Sequence, residues 1–431
     1  MHPEHLTWII ASSKLSPALK KHLCANCRDD EKKTGLRRFV TRGELRVPVI
    51  VQLAGETYDP ELARTAAAHR DLVINYHLPL IGSFAAQGSL AALKHLHDHS
   101  AVRRLWLDRN VHTNLDIAVP AVEGNTAWQQ GAGGKGVSVA VVDTGIHQHP
   151  DLVRPTNRIA AFNDLVGKKR FPYDDNGHGT HCAGIVAGNG RSLRGRYRGI
   201  APEASLVGVK VLDRYGGGPL STVIAGIDWC VARKDDLNIR VISLSLGSPP
   251  EGSYRDDPAV AAVQKAWGAG IVVVAAAGND GPSPRTIDSP GHAPAAITVG
   301  AEDDHRTVPC QDDTIAPFSS RGPTVDGLAK PDVVAPGVGI VSLRAPGSVL
   351  DRQLPRARVS GYYFTLSGTS MATPLCAGLA ALILEATPDL TPDEVKGAIV
   401  HSCRDLRFDR LAQGSGLLDA ANAVGTARVA Y

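Results

Sequence analysis

The 431-residue sequence predicts an α/β fold: a parallel sheet flanked by helices, preceded by a small α+β domain. Two observations carry this expectation. From about residue 116, short β-branched runs alternate with helical stretches, and each run leads into Gly, Asp or Asn, the pattern of parallel strands buried on both faces. Before that point, strand and helix patterns alternate in a different order.

Residues 1–44 are charged and irregular, including Arg28-Asp29-Asp30-Glu31-Lys32-Lys33, and read as an extension without assigned structure. Val47–Leu53 is a strand pattern, and Pro60–His69 is an Ala-rich helix with proline early, where its missing N–H costs nothing. Val73–Leu80 and Ile81–Ala86 read as extended, Leu90–His97 as a second helix and Val102–Leu107 as a last strand. That order, βαββαβ, is ferredoxin-like. The larger part supplies strands at Val137–Val142, Leu206–Val211, Val241–Leu246, Ile271–Ala276 and Ile297–Val299. Helices are expected at Gly179–Gly188, Leu220–Lys234 and Pro258–Ala269. The predicted division is therefore an extension (1–44), a small domain (45–115) and a large domain (116–431).

Composition narrows the function. A net charge of +3 gives no basis for a nucleic-acid or membrane partner. The first 115 residues carry 16 basic and 11 acidic side chains, the remainder 30 and 32, so the two parts differ in sign. No run approaches the ~20 apolar residues of a membrane span. Met1–Leu6 lacks a basic patch followed by an apolar run, so a Sec signal is not expected and the cytoplasm is the expected location, with non-classical export left open. Seven scattered cysteines read as reduced thiols rather than a disulfide framework. Cys24 and Cys27 are spaced as a CxxC pair, but no second pair completes a zinc site. Gly131–Gly136 fits GxGxxG yet precedes its strand, whereas a dinucleotide loop follows one.

Three segments carry chemistry. Asp143 directly follows a strand in Asp143-Thr144-Gly145. His178 lies in Asn176-Gly177-His178-Gly179-Thr180-His181 and opens a helix. Ser370 lies in Gly368-Thr369-Ser370-Met371-Ala372-Thr373-Pro374 and opens another, where free N–H groups and the helix dipole favour developing negative charge. In an open parallel sheet, strand ends and helix starts converge on one edge. An acid, a base and a hydroxyl there suit nucleophilic catalysis, because serine needs a base and the base an orienting acid. His181 reads as a bystander, and His147 and His149 as solvated loop histidines.

The order Asp…His…Ser and these three contexts resemble a subtilisin-like serine peptidase, a subtilase, and within that family the AprX-type intracellular proteases of bacilli. The resemblance implies the subtilisin-like sheet and an Asp143–His178–Ser370 triad acting through an acyl-enzyme on polypeptide substrates. It implies that Asn279, in Ala277-Gly278-Asn279, donates to the oxyanion. Gly216-Gly217-Gly218 and Ser245-Leu246-Gly247 resemble the strands between which a peptide docks. The small domain resembles a subtilase propeptide, an intramolecular inhibitor of a self-processing zymogen, with cleavage expected within Val111–Val122. Matching Ser289-Pro290-Gly291 to the family's loop implies that the preceding Asp288 lies near the base of the S1 pocket and favours cleavage after basic residues.

The chemistry requires no cofactor. The family often carries a calcium loop after the histidine helix, but Asn189–Arg198 here holds four arginines and no carboxylate. Acidic pairs at Asp174/Asp175 and Asp303/Asp304 leave a structural calcium site elsewhere open; no metal-ligand set is assigned. Two other readings stand beside the triad. One is a catalytically silent, propeptide-locked peptide binder, against which all four catalytic positions are filled. The other is an aspartic peptidase, which needs a second Asp-Thr/Ser-Gly that the sequence lacks.

Overall fold

The computed structural model describes residues 4–16, 19–24, 46–55, 58–78, 82–107 and 115–430. The chain forms two compact units, residues 1–111 and 112–431.

In the first unit, α1 (Glu4–Ala11) precedes β1 (Val47–Leu53), α2 (Pro60–Ala66), β2 (Leu72–Leu78), β3 (Ser83–Gly88), α3 (Leu90–Asp98) and β4 (Val102–Leu107). The strands form one antiparallel sheet in the order β2-β3-β1-β4, so the βαββαβ expectation holds. Asp59 and Ser89 cap α2 and α3 by accepting first-turn N–H groups. Val49, Val51, Phe84, Leu93 and Leu96 fill the core. The reading of 1–44 as an extension needs correction. Ile9, Leu15, Leu19 and Leu23 are buried in that same core, and Leu15 bridges to Leu105 beside β4. Leu19 and Leu23 lie one turn apart in the helical stretch 19–24, with Leu15 in the bridge before it, an apolar series hidden by the surrounding charge. Cys27 lies outside the described residues.

The second unit opens with α4 (Leu115–Ala121). Its sheet contains β5 (Ser138–Asp143), β6 (Ile159–Asp164), β7 (Ser205–Lys210), β8 (Ile239–Leu244), β9 (Val272–Ala276), β10 (Ile297–Asp303), β11 (Thr314–Ile315) and β12 (Val333–Pro336). The order is β11-β10-β9-β8-β5-β7-β6, with β12 also on β10, and every pairing is parallel except β10 with β11. The five expected strands are all present. The sheet is covered by α5 (His178–Ala187), α6 (Leu220–Ala232), α7 (Pro258–Gly268), α8 (Thr369–Ala386), α9 (Pro392–Ser402) and α10 (Ala420–Ala430). A hairpin of β13 (Ile340–Leu343) and β14 (Tyr363–Leu366) leads into α8. Among the described residues only α8 is long and apolar enough to cross a membrane, and 83% of it is buried inside the fold, so it is the core helix.

Residues 115–121 are helical, and Ala118, Val119, Ala121 and Val122 sit in the core of the second unit. Residues 111–114 of the expected cleavage range lie outside the described residues.

Candidate active site

β5 delivers Asp143 to the carboxyl edge of the sheet, fully buried. One of its oxygens accepts the Thr144 N–H at 2.7 Å. Gly145 turns the chain at φ 123°, and a side chain there would enter the Tyr173 carbonyl. The start of α5 then packs onto this turn, because Gly179 presents no side chain toward Gly145. His178 is thereby brought to Asp143, with Nδ1 at 2.8 and 3.0 Å from the two carboxylate oxygens. Burial is the largest influence and pushes the imidazole pKa down, but the Asp143 charge and hydrogen bond, together with Cys182, outweigh it and hold the pKa well above the ordinary histidine value.

Asp174 organises the same corner. It accepts the Thr144 hydroxyl and the N–H groups of Asn176, Gly177 and Thr180, which ties the Asp143 turn to the first turn of α5. Asp175 pairs at 2.8 Å with the buried Lys210 ammonium, which also donates to the Thr144 and Leu212 carbonyls. The Asp174/Asp175 pair is thus consumed by internal partners and does not fit calcium. The Asn189–Arg198 loop does not fit it either, since Asp151 beneath it accepts the Ser192 N–H and hydroxyl.

Ser370 begins α8 and is half-buried. Its hydroxyl donates to the Ser245 carbonyl at 3.0 Å and makes no hydrogen bond to His178 in this conformation. The Cys182 thiol, one turn after His178, lies 3.8 Å from His178 Nδ1 and donates to the Ser370 carbonyl at 3.4 Å. Asn279 follows β9, and its Oδ1 accepts the Thr369 N–H at 2.9 Å and the Thr369 hydroxyl at 3.1 Å. Its oxygen is thus occupied, and the residue is exposed. The Ser370 N–H, in the first turn of α8, has no helical partner.

A cleft of about 470 Å³ runs past His178, between Gly216–Gly218 on one wall and Ser245–Gly247 on the other. Among the described residues, Leu246 and Gly247 have no backbone hydrogen-bond partner, as an edge that accepts a strand requires. Asp288 lies behind this wall, 9% exposed. A β-carbon on Gly278 would stand 2.5 Å from its Oδ2, and one on Gly247 2.9 Å from its Cβ. Its Oδ1 is buried without a partner, and burial together with Asp280 pushes its pKa up to about 6.

His181 is the bystander expected: its Nε2 reaches the Ile340 and Phe364 carbonyls, and burial pushes its pKa down to about 3. His149 is not a solvated loop residue. It is buried, accepts the Asp151 N–H through Nδ1, and holds the Tyr362 carbonyl through Nε2. Sequence reasoning missed Thr369, Asp174 and Lys210 as positioning residues. Thr369 stood in the serine motif and Asp174 close before His178, but what they hold is set by tertiary packing.

Comparisons with known proteins establish the family. Residues 134–417 match the model of the subtilase family. The chain is 51% identical to serine protease AprX of Bacillus subtilis over 337 residues, 76% of each chain. It is 36% identical to subtilisin BL of Lederbergia lenta over 302 residues, 70% of this chain and 96% of that one. A cold-adapted subtilisin-like serine proteinase of known structure superposes with a TM-score of 0.52 at 31% identity, covering 73% of this chain and 93% of the other. The chain belongs to the subtilase family and is a subtilisin-like serine peptidase.

Proposed function

We propose that this peptidase is an endopeptidase made as a self-processing zymogen, with Asp143, His178 and Ser370 as its triad. The observation that carries the reading is the Asp143–His178 pair, which fixes the imidazole through Nδ1 and frees Nε2 as a base. A docked peptide strand would offer an N–H to the Ser245 carbonyl. The Ser370 hydroxyl, released from that carbonyl, would turn toward His178. His178 then takes the hydroxyl proton as the oxygen attacks the scissile carbonyl, while Asp143 stabilises the imidazolium. The Asn279 amide and the Ser370 N–H receive the oxyanion. The imidazolium returns its proton to the departing amine, leaving an acyl-enzyme. Water, deprotonated by His178, releases the acyl group and restores the serine.

The first unit acts in this reading as the propeptide, and the cut falls within 111–114. Buried beside the Ser245–Gly247 wall, Asp288 favours a basic side chain in the adjoining pocket. One observation favours the silent, propeptide-locked alternative: the Ser370 hydroxyl is turned to Ser245. Labelling with a fluorophosphonate probe separates the two. Wild type should label and convert to a form starting near residue 112, and Ser370→Ala should do neither. Absence of labelling in wild type after removal of the first unit would overturn the enzymatic reading.

A further inference from the structure

Residues 344–362 join β13 to β14, and part of this segment leaves the hairpin to dock on the turn before His178. Its short helix, Val349–Gln353, is capped by the Ser348 hydroxyl, which accepts the Asp351 N–H at 3.3 Å. The Val349 N–H donates to the Asp175 carbonyl at 2.9 Å, and the Leu350 N–H to the Asn176 carbonyl at 3.0 Å. A β-carbon on Gly177 would stand 2.7 Å from the Ser348 hydroxyl, so this docking depends on glycine at 177.

The docked turn is also clamped from within. Asp351 is buried, at 4% exposure. Arg344 holds both of its oxygens, at 2.6 and 3.0 Å, and Arg358 holds one of them at 2.7 Å. The Gly347 N–H donates to the other at 2.9 Å, and Arg358 also reaches the Asp351 carbonyl at 2.6 Å. Forked, charge-assisted bonds of this kind fix geometry as well as adding energy. Leu350, with its own N–H docked and the next residue clamped, is therefore held in one place. It is half-buried and lines the cleft with Asn176, His178, Leu212 and Tyr215.

On the proposed function, on which this inference rests, a peptide docks as a strand between Gly216–Gly218 and Ser245–Gly247. Successive side chains of a strand point to opposite faces. The side chain at the residue before the cut turns toward Asp288, behind the Ser245–Gly247 wall. The side chain one residue earlier then turns to the opposite face, where His178, Leu212 and Leu350 stand. We propose that Leu350 is a specificity-determining residue, which selects an apolar side chain at the second residue before the cut. Such a side chain sheds water against Leu350 and Leu212, whereas a glycine there leaves both of them wet. A lysine would bring a charge to an apolar surface that offers it no partner.

The test uses peptide substrates that share the residue before the cut and carry Leu, Gly or Lys at the one preceding it. Active molecules are counted with the fluorophosphonate probe. Wild type should favour Leu over both Gly and Lys. Leu350→Ala should lower kcat/KM for the Leu peptide by about tenfold, the low end for a change of apolar contact, and leave the Gly peptide within about twofold. Leu350→Met, which keeps the apolar volume, should retain the preference. Should Leu350→Ala fail to fold, Leu350→Asn, close to leucine in size, should abolish the preference in its place. A wild type that labels and cuts without favouring Leu, or a variant with equal losses on the Leu and Gly peptides, would overturn the role of Leu350 alone. A wild type that neither labels nor cuts any of the peptides would overturn it together with the proposed function.

Discussion

Asn279 Oδ1 is held from two sides by Thr369, through its N–H at 2.9 Å and its hydroxyl at 3.1 Å. On the proposed reading, the residue before Ser370 thus holds the amide that would meet the oxyanion. Asn279→Ala should lower kcat by on the order of 10²–10³, the loss measured for such a donor in a subtilisin, with KM little changed. Thr369→Val keeps the backbone bond and loses the hydroxyl, so its effect should be smaller and again in kcat. Equal changes in kcat and KM for Asn279→Ala would remove Asn279 from the transition state.

The raised pKa of His178 sets the pH response. The base works neutral, so activity falls as pH drops through the folded-state pKa. The acid limb of kcat/KM should therefore lie above the ordinary value of about 6.5. Asp143→Asn removes the dominant raising charge and leaves burial, so the limb should move to lower pH while kcat drops by about 10⁴. The same shift bears on stability. The imidazolium–Asp143 attraction is fully present below the unfolded histidine pKa and is lost as pH rises through the folded one. A pH–rate profile of both proteins checks the sign, and an acid limb unmoved by the mutation would detach it from His178.

Asp288 gives a second, opposite titration. Its carboxyl ionises near pH 6, so preference for Arg over Leu at the residue before the cut should grow as pH rises through that value. Comparing peptide substrates ending in Arg, Leu or Phe, with wild type and Asp288→Asn, measures it. An Arg preference that is absent, or unchanged in the variant, would show that the carboxylate does not read the substrate.

The contact of α5 with the Asp143 turn tolerates no side chain at Gly179. Gly179→Ala should cost about 1–3 kcal/mol, as overpacking does, and should displace His178. Thermal melting and kcat should fall together in this variant. A normal kcat with a lowered melting temperature would mean that the helix start yields without moving the imidazole.

Much of this site was legible because each catalytic role needs its own local turn chemistry, contiguous in the chain. Asp143 is followed by Gly145, His178 is flanked by Gly177 and Gly179, and Ser370 is preceded by Gly368. The strands of the large sheet were legible because burial on both faces makes them continuous apolar runs. Edge strand β6 was not: most of it is only partly buried, and it ends in the polar Asn163 and Asp164. His149 looked solvated because its neighbours in sequence are polar, yet the Tyr362 carbonyl that covers it comes from 213 residues away. The charge of residues 1–44 hid the apolar series at Leu15, Leu19 and Leu23 in the same way.

The serine stands at the tip of α8, the 18-residue helix at the centre of the large unit. On the proposed reading, a molecule whose core has opened has no working nucleophile. In a mixed population, intact copies would hydrolyse unravelled ones and the reverse could not occur. Turnover would then count native molecules, and a preparation would cull its own damaged members as it ages.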